Sequence, residues 1–521
     1  MKKTIVSILL SWSLFTISSY ASDSEIQIRT HNFEKATNNL ETNIFTDNTC
    51  SELIKGVKDK EIKKIKNPFL KELALQLYNN TYDTRLSQQF NAIVDPTVLS
   101  TELKIGNGFS KYQNVTGIFL PEGENIVFAK NIKDKKIKLL LPNWMRQPTL
   151  GYEATKDPNG WGLHAQTVLL EEGVNIFNVE NGTLAYIDYF ETNPEDAPQI
   201  TINFATGKYN GYFDAAIHTD EDWNKLLDNA ISPIMDAVGK YIQVAYPVEF
   251  FKEFAYGRGH ELINSYEKIL LSHYRFMGLE KYNRMPVNKI LSRVNFNYYM
   301  FRDKDGVAYL GNKRTMKMVV DPNSVTKGDP CWGFSHEVGH VLQMRPQLTW
   351  GGMTEVSNNL FTLYTTIGLG NVSRLKASGI YTKARENIIF SNPQISYLQD
   401  DDFFCRLVPF WQLHLYFSRN NSPDFYADLM EEFRSKPDLG KGNESYKNMF
   451  EFIKATCDYG KIDLTDFFEK WGFFYVGTIN VKDYGNYTYN ITQKEVDAVK
   501  EYIASKNYPK PSIDITTLED N

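Results

Sequence analysis

Several features are scarce in this 521-residue sequence, and each scarcity excludes a class of protein. Cysteine occurs only four times, so disulfides cannot be the main source of stability. The 57 basic residues against 63 acidic ones give a net charge of -6, and no basic tract is present, which argues against a nucleic-acid partner. Beyond the N-terminus no apolar run is long enough to cross a bilayer, so we expect no transmembrane segment. Apolar residues are abundant, with 42% hydrophobic and 14% aromatic residues. This composition and the length of the chain predict a globular protein with several domains.

The first 21 residues have the pattern of a secretory signal peptide. Lys2 and Lys3 precede an apolar stretch from Ile5 to Ile17, and Ser19-Tyr20-Ala21 forms a small-residue cleavage site. The residue directly after that site is not a cysteine, so an anchor of the bacterial lipoprotein kind lacks its attachment residue. We therefore expect an exported protein, periplasmic or extracellular.

The spacing of apolar residues divides the remaining chain into three predicted domains. Residues 22–94 carry helical spacing and predict a small N-terminal helical region. Residues 95–209 have short strands with period two and predict a β-sandwich, in which the segment Leu120–Ile126 is echoed by Leu170–Ile176. Residues 210–521 mix strands with helices and end in a helix-rich part. The fold class expected from these patterns is α+β with several domains.

A predicted sheet leads directly into the most informative stretch of the chain. Arg293–Phe301, Val307–Leu310 and Met316–Val320 have the alternation and composition of strands. An edge strand of such a sheet can align an extended peptide by β-pairing, and one of these three is expected to do so here.

The stretch Trp332–Gln343 contains the motif His336-Glu337-Val338-Gly339-His340. Side chains four apart lie on one face of a helix, so the two histidines can offer imidazole nitrogens to one zinc ion while Glu337 stands beside them as a general base. The alternative interpretation is a pair of packed or solvent-facing histidines. The glutamate at the required position, the small Gly339 and a carboxylate soon afterwards favour the zinc site.

Glu355 is the predicted third zinc ligand. A catalytic zinc usually takes three protein ligands and keeps one position for water. Glu355 follows Gly351-Gly352 and leads a run with helical spacing, where the N-terminus of a helix favours a negative side chain. Two helices joined through these glycines can bring all three ligands together.

These residues also resemble a known family. The motif 336–340, Thr354-Glu355-Val356 and Asn358-Asn359 are similar to the signature of the M60-like, enhancin-related zinc metallopeptidases, and the similarity extends over about residues 110 to 480. The resemblance implies a zincin-type catalytic domain of the gluzincin kind, in which His336, His340 and Glu355 bind zinc and Glu337 is the catalytic base. It also implies a mucin-like or O-glycosylated protein substrate.

Three further residues are predicted to contact or orient substrate. Trp350 is a candidate platform for stacking on a sugar ring, and Asn358 and Asn359 share the helical face of Glu355, where they could orient a ligand, contact substrate or bond between helices. The leading function is therefore an exported zinc endopeptidase for glycosylated proteins. Two alternatives stay open: a general, cell-wall or host-protein protease without glycan dependence, and a glycan-binding adhesin without turnover.

Overall fold

The computed structural model describes residues 25–26, 39–106 and 108–520, so the predicted signal peptide lies outside the described residues. The chain divides into two compact units, each of which is built from two segments. One contains Ser22–Gln343 and Phe361–Ser373, and the other contains Met344–Leu360 and Arg374–Asn521. The protein is α+β, as the sequence predicts. The predicted domain limits at residues 94 and 209 stay a prediction.

Two sheets form the β-sandwich of the first unit. One has six strands in the order β1-β7-β6-β9-β4-β12 and the other has four in the order β2-β11-β5-β8, while β3 and β10 form a separate pair. Apolar residues of both sheets share one buried core. The strands are β1 (Glu25–Ile26), β2 (Ser87–Phe90), β3 (Ile93–Val94), β4 (Asn114–Leu120), β5 (Gly123–Lys130), β6 (Lys138–Pro142), β7 (Ala165–Leu169), β8 (Gly173–Val179), β9 (Thr183–Asp188), β10 (Phe190–Glu191), β11 (Ile200–Asn203) and β12 (Lys208–Tyr209).

The echoed segments of the sequence form two matching turns that lead into β5 and β8. The side-chain amide of Asn125 donates to the carbonyls of Pro121 and Gly123, at 2.8 and 3.0 Å, and that of Asn175 donates to the carbonyls of Glu171 and Gly173, at 2.9 and 3.3 Å. Each glycine has a positive φ, at +100° and +89°, which favours glycine at that position. The two strands then pair antiparallel, with Gly123 opposite Val179.

The N-terminal helices pack against this sandwich. Leu70 and Leu73 of the longest helix belong to the same buried core as the strands. The helices up to the end of the sandwich are α1 (Asn39–Thr42), α2 (Asp59–Ile62), α3 (Pro68–Tyr78) and α4 (Pro96–Leu103).

A second, mixed sheet follows the sandwich in the first unit. Its order is β13-β14-β15-β16-β18-β17, in which β15, β16 and β18 run parallel to one another and the edge strand β17 pairs antiparallel with β18. The strands are β13 (Phe213–Asp214), β14 (Ile234–Val238), β15 (Ile242–Pro247), β16 (Ile290–Asn295), β17 (Met300–Asp303) and β18 (Gly306–Leu310).

The strand predicted at Met316–Val320 is wrong, because this segment lies in the helix Lys313–Val320. Asn312 caps the helix by accepting from the amide of Thr315 at 2.9 Å. Met316, Val319 and Val320 are buried, and their i, i+3, i+4 spacing matches one helical face. The short apolar run fits the period of a strand as well as that of a helix. The asparagine cap before the run is the signal that distinguishes the helix from the strand.

From β13 to Gly368 the described chain forms seven helices, one of which carries the motif. They are α5 (Asp220–Asp228), α6 (Val248–Phe254), α7 (Gly259–Phe276), α8 (Lys313–Val320), α9 (Pro322–Val325), α10 (Gly328–Leu342) and α11 (Thr354–Gly368). The division between the two units falls within α11, after Leu360.

The second unit is mostly helical and has an aromatic core. Trp350, Tyr397, Phe410, Phe452 and Phe473 pack against one another, with ring centroids 4.2 to 6.1 Å apart. Its further elements are α12 (Arg374–Ala377), α13 (Ile380–Ala384), α14 (Phe403–Arg419), α15 (Phe425–Ser435), α16 (Tyr446–Gly460), α17 (Thr465–Lys470), the hairpin β19 (Gly477–Lys482) and β20 (Asn486–Ile491), and α18 (Gln493–Ser505).

The sequence composition raised the questions of disulfides and of membrane-spanning segments, and the described residues bear on both. All four cysteines are buried free thiols, so no disulfide staples the described chain. None of the helices described combines the length and the apolar character that a membrane span requires.

Candidate metal centre

The motif helix α10 is fixed by buried apolar side chains on one face. Phe334, Val338, Val341 and Leu342 are each 1% exposed or less. The ring of Phe334 meets Tyr266 of α7 edge-on, with centroids 4.6 Å apart. These contacts fix the rotation of α10 about its axis, and the positions of its histidines follow from that rotation.

A buried polar contact adds to this packing. The hydroxyl of Ser335 lies 2.7 Å from Nε2 of His273 on α7, and His273 is completely buried. Burial lowers the pKa of His273 to about 3. The imidazole is therefore neutral at physiological pH, and the contact beside the motif carries no charge.

His336 and His340 lie one turn apart on α10, with ring centroids 4.8 Å apart and planes at 88°. Nδ1 of His340 lies 3.1 Å from Oε1 of Gln343. In the tautomer that donates this hydrogen bond, Nε2 keeps its lone pair for a metal. Gln343 is completely buried, so this contact also fixes the orientation of the His340 ring.

Glu355 lies in the first turn of α11, and the chain before it passes close to the β19–β20 hairpin. A Cβ on Gly351 would lie 2.5 Å from Cγ of Tyr487, and Gly352 has φ +95°. Both glycines are therefore needed for close approach and for a left-handed backbone, rather than for flexibility. Asp483 accepts from the amides of Gly352 and Thr354, at 2.8 and 3.0 Å, and so caps the start of the helix.

The structure brings His336, His340 and Glu355 together as one group whose ligand atoms all lie within 4.8 Å of one another. Two imidazole nitrogens and a carboxylate oxygen are a ligand set used at catalytic zinc. Zinc bonds of about 2.0–2.2 Å place tetrahedral ligand atoms roughly 3.4 Å apart, so small side-chain rotations are sufficient to close the group around one ion. The donors present thus fit zinc.

Glu337 lies between the two histidines in sequence and is 6% exposed. Its charge acts on Tyr309 of β18: burial raises the pKa of Tyr309 well above its usual value, and the charge of Glu337 adds to that rise. A carboxylate in such a water-poor position is suited to proton transfer.

Trp350 lies in the core of the second unit and not at a surface. It is 1% exposed, its indole nitrogen donates to the hydroxyl of Tyr397 at 3.0 Å, and its ring packs on Phe410 and Phe452. A ring enclosed in this way cannot receive a sugar, so the platform role predicted for Trp350 does not hold.

Asn358 and Asn359 are also buried, at 0% and 4% exposure. The side-chain amide of Asn359 donates to the backbone carbonyl of Glu355 at 2.6 Å, and its backbone amide donates to Oδ1 of Asn358 at 2.7 Å. Among the alternatives stated above, this geometry favours hydrogen bonding that supports the turn of Glu355 over direct contact with substrate.

Three residues near the group were missed by sequence reasoning. Gln343 has a local signal, since it lies three residues after His340, at the C-terminal cap of the same helix. Asp483 and Tyr484 have none, because they lie in the turn between β19 and β20, about 130 residues after Glu355. The hydroxyl of Tyr484 donates to Oε1 of Glu355 at 2.5 Å, yet it is one of 31 tyrosines in the sequence.

Two solved metallopeptidase structures have a fold similar to that of this chain. The chain is similar to a metallopeptidase from Bacteroides thetaiotaomicron, with 23% identity, coverage of 93% of this chain and 82% of that one, and a TM-score of 0.77. It is also similar to a metallopeptidase whose structure was solved in complex with Tn antigen, with 22% identity, coverage of 84% and 80%, and a TM-score of 0.69. At these identities the likeness shows the fold.

A curated relative is TRPM8 channel-associated factor 3 of Mus musculus, which is 21% identical over 422 residues, or 78% of this chain. The chain spans only 43% of that relative's length. The family described as Peptidase M60, enhancin and enhancin-like, matches residues 210–472, which is half of the chain and includes the mixed sheet, α10 and α11. The chain therefore belongs to the M60 peptidase family.

Proposed function

We propose that this protein is an exported, zinc-dependent endopeptidase that hydrolyses peptide bonds in glycosylated, mucin-like proteins. The peptidase part rests on one observation: the donor atoms of His336, His340 and Glu355 lie within 4.8 Å of one another, and Glu337 lies on the same helix as the histidines. Family membership supports the same reaction. The predicted signal peptide supports export.

In this proposal the three ligands would hold zinc, which would lower the pKa of a water molecule and polarise the scissile carbonyl. Glu337 accepts a proton from the attacking water as the water oxygen bonds to the carbonyl carbon. It then delivers that proton to the amine nitrogen as the carbon–nitrogen bond breaks. Water is the nucleophile, so no covalent enzyme intermediate forms.

The edge strand β17 is the proposed guide for the substrate backbone. It ends the mixed sheet next to β18, and within the described residues no strand pairs with its other side. It also runs close to the motif helix, since a Cβ on Gly333 would lie 3.2 Å from Cε of Met300. An extended peptide paired with β17 would therefore lie beside the helix that carries Glu337.

A pair of aromatic rings beside β17 replaces Trp350 as the proposed sugar contact. Trp161 stacks on Tyr298, with centroids 4.5 Å apart and planes at 5°, and Phe301 of β17 lies 5.5 Å from Trp161. Trp161 and Tyr298 are both half-buried, so part of this surface is accessible. Aromatic faces suit the apolar side of a pyranose. The relative solved with Tn antigen supports a glycosylated substrate.

The direct test is incubation with a mucin-type glycoprotein before and after enzymatic deglycosylation, each with and without a zinc chelator. The proposal predicts that the glycosylated form is cleaved much faster than the deglycosylated form, that chelation abolishes cleavage and that addition of zinc restores it. Equal cleavage of both forms would remove the glycan requirement and favour the general protease. Cleavage that survives chelation would exclude the metal mechanism, and binding without cleavage would favour the adhesin.

Trp161→Ala tests the sugar contact separately. The ring's loss should raise KM for the glycosylated substrate by about tenfold, the equivalent of about 1.4 kcal/mol, and leave cleavage of a bare peptide unchanged. Tyr299→Ala is the matched control, because Tyr299 is an exposed aromatic residue next to Tyr298 but outside the stack. Equal effects of Trp161→Ala on both substrates would exclude the sugar contact.

A further inference from the structure

The turn between β19 and β20 is anchored to the start of α11 at two points. Asp483 is 6% exposed and accepts from the backbone amides of Gly352 and Thr354. One residue later, the hydroxyl of Tyr484 donates to Oε1 of Glu355 at 2.5 Å. The turn therefore contacts both the backbone and the carboxylate of the same helical turn.

The backbone conformation of the turn determines the direction of the Tyr484 side chain. Tyr484 has φ +52°, in the left-handed region that residues other than glycine and asparagine rarely adopt. The amide of Asp483 donates to the carbonyl of Gly485 at 2.9 Å, which closes the turn around Tyr484. A large side chain in this backbone region costs free energy, and such strain is typical of functional positions.

Exposure argues against a packing role for this side chain. Tyr484 is 59% exposed, so its ring contributes little to a buried core, and its hydroxyl bonds to the carboxylate of Glu355. A hydrogen bond from a phenol to a carboxylate at 2.5 Å is in the range of charge-assisted bonds, which are about twice as strong as neutral ones.

We propose that Tyr484 is a positioning residue for the metal centre, holding the carboxylate of Glu355 in one orientation when zinc binds. This inference rests on the proposed function, because it assigns Tyr484 a role towards the same zinc ligand. Partners that hydrogen-bond to a metal ligand fix its orientation, and their loss typically costs 10–100-fold in metal affinity. In this role Tyr484 acts through Glu355 and not on the substrate.

The test compares Tyr484→Phe with the wild-type protein in two measurements: zinc affinity, by competition with a chromophoric chelator, and kcat and KM at saturating zinc. The expected result is a zinc affinity that is about 10–100-fold weaker, with kcat and KM at saturating zinc close to the wild-type values. Tyr487→Phe is the matched control, since it removes a phenol from the same hairpin whose hydroxyl makes no hydrogen bond to a described residue. It should leave both measurements unchanged.

Tyr484→Asn covers the case in which the phenylalanine variant folds poorly, because asparagine suits a left-handed turn position and also lacks the phenol. An unchanged zinc affinity in Tyr484→Phe or Tyr484→Asn would overturn the proposal. A fall in kcat at saturating zinc, with zinc affinity unchanged, would also overturn it, in favour of direct contact with the reacting groups. If the wild-type protein binds no zinc, the proposed function itself fails, and that result is distinct from both.

Discussion

The two histidines and Glu355 belong to one group of donors, but they are supported in opposite ways. His336 and His340 lie one turn apart in α10, and the residues that fix that helix are buried and apolar. Glu355 is oriented by polar contacts from a turn about 130 residues later, through Asp483 and Tyr484. The helix determines which atoms are available for a metal, and the distant turn determines where the carboxylate points.

This difference separates two kinds of failure. A change within α10 removes a donor or the base directly, because each functional atom belongs to the helix itself. A change in the β19–β20 turn leaves every donor present but removes the contacts that orient Glu355 of α11. The predictions below distinguish these two effects and are given in order of decreasing size.

Glu337→Gln should lower kcat by about 10²–10⁴-fold, the range that general base catalysis contributes. Glutamine keeps the shape of the side chain and cannot accept the proton. Zinc content and melting temperature should stay at the wild-type values, since Glu337 is not among the three grouped donors. Peptide hydrolysis and metal analysis of the same preparation check both statements, and a variant with wild-type turnover would exclude Glu337 as the base.

Asp483→Ala should destabilise the protein by about 3 kcal/mol, because the buried amide of Gly352 and the half-buried amide of Thr354 lose their acceptor at the start of α11. Arg345 and the buried Arg406 also lose a nearby negative charge. Urea unfolding measures the change. Asp497→Ala on the exposed face of α18 is the control and should change the free energy of unfolding by no more than about 0.5 kcal/mol. An equal change in both variants would show that the cap by Asp483 does not stabilise the protein more than an exposed aspartate does.

Acidification should destabilise the packing around α10 through His273. Its pKa is lowered to about 3 by burial, against an ordinary value of 6.5. A base with a depressed pKa contributes stability above the unfolded value and loses it as pH falls, here from about 6.5 towards 3. At pH 5 the loss is about 2 kcal/mol, since the unfolded histidine gains about 1.4 kcal/mol for each pH unit below its pKa.

His273→Gln isolates this contribution, because glutamine can bond to Ser335 but does not titrate. The stability difference between wild type and variant should shift against the wild type by about 2 kcal/mol between pH 7.5 and pH 5. Unfolding free energies at several pH values provide the measurement. A difference that does not change with pH would mean that the folded protein protonates His273 as readily as the unfolded chain does.

The sequence predicts the features whose signals are local, as for the helix α10, and does not predict those that depend on distant contacts, as for the β19–β20 turn. The helix of the motif, the strands of the sandwich and the matching turns at Asn125 and Asn175 are all local patterns, with their signals within a few residues. The grouping of Glu355 with the histidines depends on a short connection of 14 residues, and the sequence was sufficient to predict it.

Long-range contacts explain what the sequence did not reveal. Trp350 precedes two glycines, which suggests an accessible position, but aromatic residues up to about 100 positions later enclose its ring. The same holds for Tyr484, since nothing near Glu355 in the chain indicates which tyrosine donates to it. The strand predicted at Met316–Val320 was wrong for a different reason: a short apolar run fits both the period of a strand and that of a helix, and the signal that distinguishes them is the local cap at Asn312.

The central claim is that one zinc ion is held by His336, His340 and Glu355. The most direct measurement is calorimetric titration of zinc into the metal-free wild-type protein and into the folded variants His336→Ala and Glu355→Ala. The account predicts one equivalent bound by the wild type and an affinity weaker by more than about 100-fold in each variant, since removing a ligand must cost more than removing its hydrogen-bond partner. A Glu355→Ala variant that binds one equivalent as tightly as the wild type would contradict it.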